Sequence, residues 1–126
     1  MKNSPLFLII LFLVAPILTA QEKAAISFET ESIDFGEIAK NSDGNRTFIF
    51  TNTGEDALLI KNVQSSCGCT IPKRPESAIQ PGEKGEIQIK YDTNRIGPFR
   101  KTITVTSNAQ NSPMIGLKIK GTVLPE

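Results

Sequence analysis

The sequence predicts an all-β protein, and more closely an immunoglobulin-like antiparallel β-sandwich of about seven strands. Three observations predict it. Apolar and polar residues alternate over short segments rich in β-branched residues, turn-forming residues separate these segments at regular intervals, and no helical period extends beyond one turn. The inter-sheet disulfide and buried tryptophan of antibody domains are missing, because the chain has no Trp and a single residue separates its two cysteines. A small β-barrel is the alternative architecture.

The chain begins with the pattern of a secretory signal peptide. Lys2 supplies a short positive start, residues 6–18 form an apolar run of 13 residues, and Thr19-Ala20 provides a small-residue exit. The run is shorter than the roughly 20 residues that a membrane-spanning helix needs. We therefore expect residues 1–20 to be a signal peptide and residues 21–126 a single immunoglobulin-like domain, periplasmic or secreted, with no transmembrane segment after cleavage. An uncleaved anchor is the alternative.

The first part of the domain contains three strand signals. The segments "AISFE" and "SIDFGEI" are typical of a first strand that is split in two. "RTFIFTN" places Phe48 and Phe50 on one face, and "ALLIKNV" supplies Leu58, Ile60 and Val63. Because successive side chains of a strand point to opposite faces, Phe48 and Phe50 are predicted to point inward together.

The second part contains three longer alternating segments, "GEIQIKY", "KTITVTS" and "IGLKIKGTV". Their predicted inward positions are Ile87, Ile89, Tyr91, Ile103, Val105, Ile115, Leu117, Ile119 and Val123. Gln80-Pro81-Gly82-Glu83 has the proline and glycine of a type II turn, in which the glycine supplies the positive φ. Asn52 to Glu55, Gly97-Pro98 and residues 108–113 are predicted to separate further strands.

The charge balance argues against polyanionic partners. The chain has 14 Lys+Arg, one of them in the predicted signal peptide, which leaves 14 − 1 = 13 against 13 Asp+Glu. A balanced surface gives no electrostatic reason to bind nucleic acid or an anionic membrane. The densest basic cluster is Lys73-Arg74, which we interpret as part of a solvated loop.

The residue types exclude most catalytic chemistry, so we expect no enzyme activity and no cofactor. The chain contains no histidine, which removes Ser-His-Asp and Cys-His catalysis together with histidine-based zinc sites. Its carboxylates lie singly on solvent-facing strand positions or in turns, which is typical of surface residues rather than of a catalytic pair. "DTNRIG" at residues 92–97 begins like a calcium loop but has isoleucines at ligand positions, and it is predicted to be a turn.

The two cysteines, Cys67 and Cys69, form the one candidate thiol site. Residues two apart in an extended strand share a face, so both can enter the core as small apolar groups. Their α-carbons then lie about 6.6 Å apart, and a disulfide needs a pinched backbone, which Gly68 permits by reaching conformations closed to other residues. Three interpretations are open: packed structural thiols, a labile disulfide, and a Cu(I) or thiol-exchange site. We favour the structural one.

The domain resembles the exported bacterial family known as domain of unknown function 1573. The similarity covers "IDFGEI", "FIFTNTGEDALLIKNVQSSCGCTIP", "IQPGEKGEIQIKYD", "GPFRKTITVTSN" and "LKIKGTV". Its most specific element is Ser66-Cys67-Gly68-Cys69-Thr70, which matches the family signature residue for residue. Pro81-Gly82-Glu83 and Ser107-Asn108 match less specific motifs. The resemblance implies an immunoglobulin-like sandwich related to the Hydin-type domains, and it implies no activity.

Two classes of function follow from these observations. The leading one is an exported, non-enzymatic binding or assembly module, whose strand edges can pair with another envelope or secreted protein. The alternative is a thiol-disulfide or Cu(I)-handling protein that uses Cys67 and Cys69. A third interpretation is a small structural component of an extracytoplasmic assembly.

Overall fold

Eight strands form two sheets of four. The computed structural model describes residues 23–126, so the predicted signal peptide lies outside the described residues. In chain order the strands are β1 (Ile26–Phe28), β2 (Ser32–Ala39), β3 (Asn45–Asn52), β4 (Ile60–Ser65), β5 (Thr70–Lys73), β6 (Lys84–Tyr91), β7 (Gly97–Ser107) and β8 (Met114–Leu124). The first sheet has the order β1-β3-β6-β5, and the second has the order β2-β8-β7-β4.

The sandwich prediction is confirmed, with two differences in strand arrangement. The predicted split of the first strand is real: β1 pairs antiparallel with β3 in the first sheet, and β2 crosses to the second sheet. There β2 runs parallel to β8, so the prediction of antiparallel pairing is wrong for this one pair. The strand beyond the predicted seven is β5, which has only four residues and contains Pro72, and whose Lys73 we had expected to lie in a solvated loop.

The predicted inward residues form one core between the two sheets. Phe48 lies opposite Ile87 in the first sheet, and Ile103 lies opposite Leu117 in the second. Most of the predicted set is at most 1% exposed. These residues are Phe48, Phe50, Leu58, Ile60, Ile87, Ile89, Ile103, Val105, Leu117, Ile119 and Val123. Tyr91 is 4% exposed, and Val63 and Ile115 are partly buried against the same core.

Three aromatic rings in contact close one end of this core. The Tyr91 and Phe99 rings stack with centroids 3.8 Å apart, and Phe35 meets Phe99 edge-on at 5.3 Å. Burial raises the pKa of Tyr91 above its usual value. Gly121 is required beneath these rings, because a Cβ there would lie 2.7 Å from the Phe35 Cβ atom. This end is therefore filled by side chains.

The turns follow the sequence with one exception. Gly82 has φ 82°, and the Glu83 N–H donates to the Gln80 carbonyl at 3.0 Å, as predicted for the type II turn. The segment that begins like a calcium loop is also a turn, closed by the Arg95 N–H on the Asp92 carbonyl at 3.2 Å. The exception is Gly97-Pro98, which does not separate strands but begins β7 opposite Val123 and Thr122. Proline is tolerated there because it lies at the start of the strand.

Candidate functional site: the Cys-Gly-Cys turn and the β4 edge

The two cysteines lie where the chain crosses from one sheet to the other. Residues 66–69 connect β4, an edge strand of the second sheet, to β5, an edge strand of the first. The Thr70 N–H donates to the Cys67 carbonyl at 3.2 Å, which closes a four-residue turn. The turn therefore spans the open side of the sandwich, between the two edges.

The structure joins Cys67 and Cys69 in a disulfide with an S–S distance of 2.11 Å, so it differs from our interpretation as two unbonded thiols. The turn brings the two α-carbons to 5.2 Å, which is closer than the extended spacing we assumed and within the usual disulfide range. Cys69 is 3% exposed and belongs to the core, whereas Cys67 is only partly buried. Cys67 is therefore the more accessible of the two residues.

Gly68 does not have the role that the sequence suggested. Positive φ values occur at Gly36, Gly82 and Gly97 but not at Gly68. A Cβ added to Gly68 would meet no heavy atom within 4 Å, so neither the backbone conformation nor a close contact requires glycine there. The expectation that Gly68 supplies an otherwise forbidden conformation is wrong, since the pinch comes from the hydrogen-bonded turn.

Hydrogen bonds fix this turn to both sheets. The Ser66 N–H donates to the Thr102 carbonyl at 2.9 Å, and the Thr102 N–H donates to Ser66 Oγ at 3.1 Å. On the other side, the Asp92 N–H donates to the Cys69 carbonyl at 2.8 Å. The Cys69 N–H points at Cys67 Sγ at 3.1 Å. The disulfide is thus one element of a turn that backbone contacts also hold.

The chemistry of the two sulfurs and of the side chains around them bears on whether this turn can bind a metal ion. Within residues 23–126, no group of three or more His, Cys, Asp or Glu side chains converges to hold a metal ion. Both sulfurs are engaged in the disulfide, so they can serve as thiolate ligands only after reduction. The chemistry that this arrangement supports directly is exchange of the disulfide with an external thiol.

The second part of the candidate site is the set of free strand edges, three of which are protected. Asn111 covers β1: its Oδ1 accepts from the Ile26 N–H at 3.0 Å and its Nδ2 donates to the Ile26 carbonyl at 2.9 Å. In β2, the register shifts between Asp34 and Glu37 around Gly36, which has φ 67°. The bulge and the two charges disfavour pairing along that edge.

The edge of β5 is protected by its length and composition. It has four residues, and Pro72 removes one donor from it. On its exposed face it carries Ile71, which is 67% exposed. A strand this short gives an added segment few hydrogen bonds.

The edge of β4 is open over its second half. Ser66 pairs with Thr102 through hydrogen bonds, and along an antiparallel ladder the backbone groups of successive residues point alternately toward the neighbouring strand and away from it. The N–H and C=O groups of Gln64 therefore point toward β7, and those of Val63 and Ser65 point toward the free side. No hydrogen bond from the rest of the described chain reaches the Val63 or Ser65 backbone on that side.

Arg74 closes the other half of this edge, and sequence reasoning missed it. Its Nη1 donates to the Ile60 carbonyl at 3.1 Å, so Lys73-Arg74 is not simply a solvated loop as we had expected. Arg74 is 14 residues from Ile60, and Asn111 is 85 residues from Ile26. No local signal in the sequence indicates contacts of this kind, because they arise only after the sheets have assembled.

The fold and the turn define an immunoglobulin-like β-sandwich with a disulfide in the turn that connects two edge strands. The model of a family described as a protein of unknown function, DUF1573, matches residues 26–123, so the chain belongs to that family. This confirms the resemblance inferred from the Ser66 to Thr70 motif. None of the curated protein sequences matches the chain significantly. No helix among residues 23–126 is long and apolar enough to cross a membrane.

Solved structures support the fold. A protein of unknown function from Porphyromonas gingivalis is similar with a TM-score of 0.75 and 17% identity over 87% of this chain and 51% of that one. The chain thus spans about half of that protein. PapD-like domain 7 of human CEP192 is similar with a TM-score of 0.67 and 11% identity, over 100% of this chain and 98% of that one. A chaperone–tip adhesion subunit complex from the Csu pili of Acinetobacter baumannii is similar with a TM-score of 0.56 and 13% identity, over 81% of this chain and 57% of that one.

Proposed function

We propose that this protein is an exported, non-enzymatic binding or assembly module that acts in the periplasm or after secretion. It pairs through the β4 edge with another envelope or secreted protein. The observation that carries the proposal is the contrast among the four edges: three are protected, and β4 presents free backbone groups at Val63 and Ser65. A strand edge of this kind is the usual platform for adding a segment of another chain.

Two further observations support the proposal. The first 20 residues have the pattern of an export signal, and the disulfide suits an oxidising compartment. The similarity to a PapD-like domain and to a complex of a chaperone with a pilus tip adhesion subunit agrees with a module that assembles with other proteins. The carboxylates of the chain serve as surface charges in this proposal.

Site-specific photo-crosslinking in cells tests it. A benzoyl-phenylalanine at position 63 on the β4 edge should give a discrete adduct that mass spectrometry can identify. The matched control places the same group at Thr47, which is exposed on the outer face of a central strand of the first sheet. Adducts of equal yield at both positions, or none at position 63, would refute binding at this edge.

The partial exposure of Cys67 favours a second candidate, thiol–disulfide exchange. A thiolate of an external dithiol attacks Cys67 Sγ, the S–S bond breaks, and Cys69 leaves as a thiolate. The second thiol of the donor then attacks the mixed disulfide and releases Cys67, so the donor is oxidised and this protein is reduced by two electrons.

Single-cysteine variants test the second candidate. With glutathione disulfide as the probe, a Cys69→Ser variant should form a mixed disulfide at Cys67 faster than a Cys67→Ser variant does at the buried Cys69. Mass spectrometry follows both reactions. Equal rates in the two variants would contradict an accessible attack on Cys67.

A further inference from the structure

We propose that the β4 edge takes an extended segment of a partner protein with apolar side chains at alternate positions and acidic residues near them. The inference rests on the proposed function and specifies the chemistry of the partner. Three features of the open side define it: the direction of the free backbone groups, the apolar seam beside them and the sign of the surrounding charge.

The backbone groups set the conformation of the partner. The N–H and C=O groups of Val63 and Ser65 point to the free side and lie two residues apart. Such spacing is complementary to an extended strand, whose alternate residues present their own N–H and C=O groups on one side. Arg74 occupies the Ile60 carbonyl, so the added segment pairs along the half of β4 that leads into the Cys-Gly-Cys turn.

The seam between the two sheets sets the side-chain pattern. Val63 is partly buried on the inner face of β4, Pro72 is partly buried on β5, and the partly buried Cys67 lies in the turn that joins them. A strand added to β4 directs every second side chain toward this seam, where apolar groups remove surface from water. The intervening side chains lie beside the exposed Asn62 and Gln64, which suit polar residues.

The charges on the open side set the sign of the partner. Lys61, Lys73 and Arg74 flank it, and within residues 23–126 none of them lies within 4.0 Å of a carboxylate. The segment that joins β5 to β6, residues 74–83, contains two acidic residues, Glu76 and Glu83. Acidic side chains on the partner would meet these cations as opposite charges meet across neighbouring strands. A second copy of this chain brings Lys61 on its own β4 and so supplies no compensating acid.

Selection from a random ten-residue peptide library displayed on phage, with the oxidised protein residues 21–126 as bait, tests the proposal. The enriched peptides should show apolar residues at alternate positions and a net negative charge. Their affinity should fall by at least about tenfold for a Val63→Pro variant. Proline has no N–H, so the variant loses a donor to the added strand, whereas the pairing with β7 does not use that N–H and is retained. A Val63→Lys variant, which leaves the backbone unchanged and places a charge at the seam, should show the same loss.

Charge reversal tests the sign of the partner. Lys61→Glu with Lys73→Glu should shift the enriched peptides toward basic residues, while Lys84→Glu with Lys90→Glu on the outer face of the first sheet should not. Peptides without alternation, no enrichment, or affinity that is insensitive to both Val63 variants would overturn the inference. So would self-association of the wild type that Val63→Pro abolishes, since it assigns the edge to a second copy.

The outcome separates the two proposals. If photo-crosslinking at position 63 captures a partner and the library yields no alternating acidic peptides, the chemistry inferred here is wrong and the binding module stands. If neither experiment gives a product at this edge, both proposals are wrong.

Discussion

Reducing the Cys67–Cys69 disulfide should lower the free energy of unfolding only slightly. The bridge joins residues two apart in sequence and so closes a ring of three residues. On the loop-entropy relation, a ring of that size contributes about 1.6 kcal/mol at 25 °C. After reduction Cys69 stays buried as a small apolar thiol, and backbone hydrogen bonds still hold the turn on both sides. We therefore expect a loss of about 1–2 kcal/mol in a protein that remains folded.

Urea denaturation followed by far-ultraviolet circular dichroism measures the effect, since the chain has no Trp to report by fluorescence. The oxidised protein and the protein held in a phosphine reductant are compared at one pH. A double variant, Cys67→Ala with Cys69→Ala, is the control, because its unfolding should not respond to the reductant. The m-values should also agree, since the surface exposed on unfolding is nearly the same.

A loss above about 3 kcal/mol, or complete unfolding on reduction, would refute this reasoning. It would mean that the disulfide, rather than the hydrogen bonds of Ser66 and Cys69, holds the two edge strands together. A loss in the double variant that still depends on reductant would show that the reductant acts elsewhere.

The remaining predictions concern the core, the turn, the pH response and export. Ile103→Ala should cost about 2–5 kcal/mol because the side chain is 0% exposed, whereas Thr104→Ala on the opposite face should cost little in the same urea experiment; equal costs would mean that the register is wrong. Gly68→Ala should leave both stability and disulfide formation unchanged, as thermal melts and thiol counting can check. Burial raises the pKa of Tyr91, so above about pH 10 the folded state retains a proton that the unfolded chain releases. The free energy of unfolding of the wild type should therefore fall as the pH rises through this range, and it should fall less steeply in the Tyr91→Phe variant. Intact mass of protein from the cell envelope should show a chain beginning at Gln21, and retention of residues 1–20 would contradict export with cleavage.

The sequence was sufficient for the core because strand alternation is a local signal. Ile87, Ile89, Ile103 and Val105 all occupy the faces that period two predicts, since a one-residue slip would expose every one of them. The parallel pairing of β2 with β8 was not predictable in this way. It depends on which sheet the second half of the split strand joins, and the alternation in "SIDFGEI" is the same in either sheet.

The candidate site was predictable as a pair of residues but not as an arrangement. The spacing of Cys67 and Cys69 suggested an extended segment, which puts the α-carbons too far apart for an easy bridge. The 5.2 Å separation arises because Ser66 still pairs with β7 while Cys69 already accepts from the N–H of Asp92, the residue that follows β6, so the chain must turn within four residues. This turn is set by hydrogen bonds to both sheets, so it cannot be predicted from the sequence of β4 or of β5 alone.

We expect the five residues that carry the family resemblance, Ser66 to Thr70, to contribute little to the stability of the fold. The bridge among them closes a very small ring, Gly68 is not required by its conformation, and the large buried side chains all lie outside the motif. What the motif does is end β4 and begin β5, so it fixes the position of the one unprotected edge among the described strands and lines the seam beside it with the Cys67 sulfur. A segment placed there would contact any chain that pairs with Val63 and Ser65. This placement favours the proposed binding at the β4 edge, rather than stability, as the role of the motif.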